Sequence, residues 1–153
     1  MKRYSLLYAS FAALLRSGWE DASQSIAMLQ QLNNAHFPSS VSDDTTFTHL
    51  YHLLLGVQKH YTARLDAALE YYALIPPQAG ETYLLALLNQ CIILRLGTPE
   101  DHKKAIMFRD EVERRLITGT QISPQIRVAW FLVRGITTTE VLPSQFEFPR
   151  NIR

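Results

Sequence analysis

Apolar and polar residues alternate along this chain with the period of a helix. Leu50, Leu53, Leu54, Val57 and Tyr61 recur at i, i+3, i+4, i+7 and i+11, one stripe of a helix, and no stretch sustains the strict alternation of a half-buried strand. The pattern predicts seven helices, over 3–17, 20–33, 44–61, 64–75, 80–96, 100–118 and 124–135. Gly18, Gly97 and Gly119 stand where helices should stop, because glycine enters the left-handed conformation of a C-terminal cap without steric penalty. Pro76-Pro77 marks a stop, and Ser123-Pro124 marks a start, with serine as N-cap and proline at the first helical position. The link from Asn33 to Thr46 is rich in Ser, Thr, Asn and Asp, which compete for backbone hydrogen bonds, so an exposed loop is expected. Residues 1–136 then form one helical section, and 137–153, with Pro143 and Pro149, form an extended or loose tail.

Composition sharpens the reading. Of the 153 residues, 19% are charged, below the roughly 25% of an average soluble domain. A surface short of charge implies that some apolar surface is covered by more protein. The formal net charge of +1 lacks the cationic footprint of a nucleic-acid binder, so direct DNA contact is not expected. The apolar stretches at Ser5–Leu15 and Tyr83–Leu96 are too short and too interrupted for a membrane span of about 20 residues, and the N-terminus lacks a signal-peptide cleavage pattern. Cys91, the single cysteine, lies in the run Leu87–Leu94 and reads as a small buried packing residue.

Candidate chemistry is sparse. His49, His52 and His60 share an arc of one predicted helix, yet His52 and His60 are separated by about 12 Å of axial rise, too far for one ion. His49 and His52 alone could share a metal, and a small metal-dependent enzyme using them is the alternative from another functional class. Otherwise no cofactor, metal or catalytic residue is expected. No nucleophile-elbow, phosphate-loop or dinucleotide motif occurs, and the acid pairs Glu20-Asp21, Asp43-Asp44 and Glu100-Asp101 open predicted helices, where the helix dipole accounts for them.

Small residues recur early in the second helix of successive pairs, at Ala22, Ala68 and Ala105. The middle pair is clearest: Leu55-Gly56, then Ala68, then Tyr72. This spacing resembles a tetratricopeptide unit, in which Gly56 and Ala68 let two helices cross closely and Tyr72 fills the space against the next unit. His52 and Lys59 depart from the aromatic residues usual in such units. The expected fold is all-α, with about seven helices paired antiparallel and stacked as a tetratricopeptide-like right-handed superhelix.

The wording of the same region, Leu53-Leu54-Leu55-Gly56-Val57-Gln58-Lys59-His60-Tyr61-Thr62 followed by Leu65-Asp66-Ala67-Ala68-Leu69-Glu70-Tyr71-Tyr72, resembles the cohesin-loading factor family, the helical subunit of the cohesin loader. The resemblance is concentrated in residues 47–75, with looser agreement through 81–116. It implies a nuclear protein that binds the large loader subunit, assists cohesin loading and sister chromatid cohesion, and meets chromatin indirectly.

The residues themselves point to a concave face formed by the first helix of each pair, holding an extended polypeptide. Tyr4, Leu7, Phe11, Leu50, Leu53, Val57, His60 and Tyr61 are placed on it, although packing against neighbouring helices competes for the same stripe. Asn89 and Gln90, carboxamides within an apolar helix, would bond the backbone of the guest or pair with a neighbouring helix. A generic peptide-docking adaptor in another complex is the alternative within this class.

Overall fold

The computed structural model describes residues 2–15, 23–24, 26–27, 30, 41–119 and 122–137. Among them the chain is all-α: α1 (Lys2–Leu15), α2 (Val41–Tyr61), α3 (Leu65–Ala73), a 3-10 turn (Pro77–Ala79), α4 (Glu81–Leu94), α5 (Pro99–Thr118) and α6 (Pro124–Thr137). The helix predicted over 20–33 falls largely outside this set, although Ser23, Gln24, Ile26, Ala27 and Gln30 are helical. Gly18 and residues 138–153 of the predicted tail also lie outside it. Two boundaries move. Helix α2 begins at Val41, within the segment expected to be a loop, and α6 continues through Gly135 to Thr137.

Two compact units divide the chain, Met1–Ala86 and Leu87–Arg153, with the boundary inside α4. In the first, α1 packs on α2 and α2 on α3. The core gathers Leu7 and Ala13 from α1, Ile26, and Phe47, Tyr51 and Leu54 from α2. Phe47 and Tyr51 stack at 5.9 Å, one turn apart. Ser10, fully buried, satisfies its hydroxyl by donating to the Leu6 carbonyl at 2.8 Å, so it costs the core no unpaired polar group.

The turn between α2 and α3 takes only three residues. Ala63 adopts a left-handed φ of 62°, and Arg64 N donates to the Lys59 carbonyl at 2.9 Å. Thr62 Oγ1 donates to the carbonyls of Gln58 and Lys59, covering acceptors that a helix end leaves open.

In the second unit α5 packs on α6. Ala105, Val112 and Leu116 form the buried stripe of α5, and Ile126, Val133 and Thr137 that of α6. Helix α5 starts in a capping box: Asp101 N donates to Thr98 Oγ1 at 3.2 Å, and Thr98 N donates to Asp101 Oδ2 at 3.0 Å.

The glycine reading needs correction. Gly97 and Gly119 follow helix ends, but neither is left-handed; Gly80 alone among the described glycines has a positive φ, 65°. Gly119 is extended, at φ −86° and ψ 133°. Space explains both. A Cβ at Gly97 would press on the Asp101 side chain of the capping box, with Cγ at 2.9 Å, and one at Gly119 would meet the Arg115 carbonyl oxygen at 2.7 Å.

Candidate functional site

The residues expected on a concave face separate into three groups. Leu7 is fully buried and Leu53 is 6% exposed, so neither can line an open trough; the chain's own helices cover them. Phe11, Leu50 and Val57 are half-buried against the same core. The covered side of α2 takes in Phe47, Tyr51 and Leu54 together with Leu53, with Leu50 and Val57 half-buried, and leaves only Tyr61 of the expected stripe exposed. Tyr4 lies on α1, with its side chain outside the described set. Gln90 is buried and has an interaction within the chain, while Asn89 is half-buried.

The third group, His60 and Tyr61, sits at the end of α2. Tyr61 is 60% exposed. Beside it is an open hollow of about 580 Å³, lined by Gln58, Lys59, Tyr61, Thr62, Ala63 and Arg64. Gln58 donates to Ser23 Oγ at 3.1 Å, which holds one wall in place. Lys59 lies in the last turn of α2, where it offsets the partial negative charge of the helix end, and exposed Arg64 adds a second cation at the turn. An apolar ring beside two cations suits a peptide carrying an aromatic or aliphatic anchor with a carboxylate nearby.

Gly56, Ala68 and Tyr72 make the hairpin behind this hollow. Ala68 is fully buried and Tyr72 is 1% exposed. A Cβ at Gly56 would meet Tyr72 Cδ1 at 2.6 Å, so the ring of Tyr72 lies directly on the glycine. The glycine therefore makes room for a ring within the hairpin, where the spacing alone had sent that ring toward a following unit. Burial raises the Tyr72 phenol well above the ordinary tyrosine range, and its hydroxyl has no hydrogen-bond partner among the described residues.

His60 meets the Tyr72 ring edge-on at 6.5 Å, and His52 lies near Tyr51 at 6.2 Å and Tyr71 at 6.4 Å. Burial lowers the pKa of both histidines from 6.5, and the charge of His49 lowers that of His52 further. With the folded values depressed, the unfolded chain binds more protons between those values and 6.5, so stability rises with pH across that window. The melting temperature should be level above pH 6.5 and fall as pH drops below it. Melts from pH 8 to pH 5 check this, and His60→Gln should flatten the slope.

Cys91 in α4 donates its S–H toward the Ala105 carbonyl, with Sγ 3.2 Å away, and burial pushes its pKa up to about 12. It is a protonated packing group rather than a nucleophile. Among the described residues no three of His, Cys, Asp and Glu are grouped to hold a metal ion, and no helix is long and apolar enough to cross a membrane.

Packed helices, a tight helical hairpin and an open hollow at its turn define the class, an all-α protein built from helix pairs. Within that class the profile of the cohesin loading factor family matches residues 1–146. The chain belongs to the cohesin loading factor family, and that membership connects it to cohesin loading. Neither a curated protein nor a solved structure matches it.

Proposed function

We propose that the chain is a non-catalytic, tetratricopeptide-like scaffold that holds an extended segment of the large cohesin-loader subunit. In that role it supports cohesin loading and sister chromatid cohesion in the nucleus, and its association with chromatin runs through its partners. Family membership supports the setting. The observation that carries the binding reading is the hollow at the α2–α3 turn, where exposed Tyr61 stands beside Lys59 and Arg64. Exposed tyrosine and arginine are the side chains that most often dominate protein–protein affinity.

A charge at Tyr61 tests this without disturbing the core. Tyr61→Asp should weaken capture of the large subunit by at least about tenfold, the loss typical of one central anchor, while the helical circular dichroism stays unchanged. Lys59→Glu should weaken it in the same direction and make the remaining binding less sensitive to salt. Undiminished capture by both variants would place the binding surface elsewhere.

A further inference from the structure

Two cations with no acid beside them line the hollow at the α2–α3 turn. On α5 every Lys and Arg side chain is engaged: Lys103 pairs with Glu100, Arg109 with Asp110, and Arg114 and Arg115 with Glu111, while Lys104 lies over the Phe108 ring. Lys59 and Arg64 differ. Among the described residues neither side chain has an ion pair, a hydrogen bond or a ring contact, although Asp66 and Glu70 stand exposed on the adjoining helix α3. The backbone hydrogen bond from Arg64 N to the Lys59 carbonyl, 2.9 Å, brings the two residues together at one turn, and both face the hollow.

Charge and size select the occupant. A peptide with one carboxylate would leave one of the two cations unanswered. One compact phosphate would need both cations to converge on a single centre, whereas the hollow is open and, at about 580 Å³, has the size of a pocket that takes several groups. Two carboxylates answer the cations one to one. In an extended segment side chains two residues apart share a face, so an apolar residue over Tyr61 and acids beside Lys59 and Arg64 fall at alternate positions.

We infer that the hollow selects an acidic segment of the partner, with an apolar residue set on Tyr61 and two carboxylates at alternate positions paired with Lys59 and Arg64. The inference rests on the hollow being the binding surface and adds the charge that the bound segment must carry.

The test uses the full chain and three labelled peptides that read the same in either direction, so the polarity of the bound segment does not matter. Each has a central phenylalanine. The first has glutamates two and four residues to either side, the second glutamines at those places, and the third a phosphoserine two residues to either side with glutamines beyond. Fluorescence anisotropy should show the glutamate peptide binding about tenfold more tightly than the glutamine peptide, as expected of two charge-assisted pairs at a partly exposed site, and more tightly than the phosphoserine peptide. Lys59→Gln and Arg64→Gln should each reduce the preference to about threefold and together erase it, with helical circular dichroism unchanged.

Equal binding of the glutamate and glutamine peptides, or a preference that survives the double substitution, would overturn the inference. So would tighter binding of the phosphoserine peptide, since the hollow would then hold one compact dianion. The identity of the partner is read separately: undiminished capture of the large subunit by Tyr61→Asp and Lys59→Glu, together with the glutamate preference, supports the inference and assigns the hollow to another acidic partner.

Discussion

Replacing Phe47 with alanine is expected to lower the unfolding free energy of the first unit by about 3–5 kcal/mol, the range for a fully buried phenylalanine. Phe47 is entirely shielded from solvent and belongs to the cluster that joins α1 to α2 through Leu7, Ala13, Tyr51 and Leu54. The substitution removes its transfer free energy and also opens a cavity, because the rigid ring of Tyr51, stacked at 5.9 Å, cannot collapse to fill the space. Phe47→Leu keeps most of the volume and should cost less than half as much. Urea denaturation of the two variants gives the comparison, and equal losses would mean that the ring does not fill the core.

The second large effect is expected at Gly56. Valine there should destabilise the α2–α3 hairpin by about 3 kcal/mol, at the upper end of ordinary overpacking. On an open helix the same change would gain stability, since glycine in a helix interior costs about 0.5–1 kcal/mol relative to alanine. The sign reverses because a Cβ would fall 2.6 Å from Tyr72 Cδ1, and the Tyr72 ring, 1% exposed, has no room to swing away. Coupling identifies the cause. Tyr72→Leu should be destabilising alone, yet Gly56→Val should cost at least about 1 kcal/mol less in the Tyr72→Leu background than in the native chain. Strictly additive losses would show that the glycine is needed for some other reason.

Much of the local structure is legible along the chain. The helix beginning near residue 100 and the one beginning at 124 fall within a residue of their expected starts, because proline at N1 and a preceding Thr or Ser are local signals. The capping box at Thr98 is readable in the spacing Thr98-Pro99-Glu100-Asp101, although the acid pair alone suggests only a dipole effect. Helix α2 begins earlier than expected, so the Ser, Thr and Asp residues after Val41 do not end the helix. Local preference for caps and turns is a weak prior there.

The candidate site is less legible. The apolar positions of α2 reach far enough around the helix for Leu53 to be covered as well as Phe47, Tyr51 and Leu54, because neighbours lie on more than one side. This moves Leu53 from a guest surface to the core and leaves Tyr61 exposed at the helix end. On α6 the outward stripe at Val128, Phe131, Leu132 and Ile136 has the same helical spacing as a core face, so periodicity cannot mark it as uncovered.

What the sequence by itself determined is the set of helices among the described residues, where most of them stop, the low charge and the kinship with the cohesin loading factors, because each of these is written in residues close together or in composition. Only the tertiary structure decided which stripe of each helix is covered, that Tyr72 rests on Gly56, and that an open hollow lies at the α2–α3 turn. Burial belongs to pairs of elements rather than to one helix. A 3.6-residue period says that a helix has an apolar side, and the position of its neighbour says whether that side is core or surface.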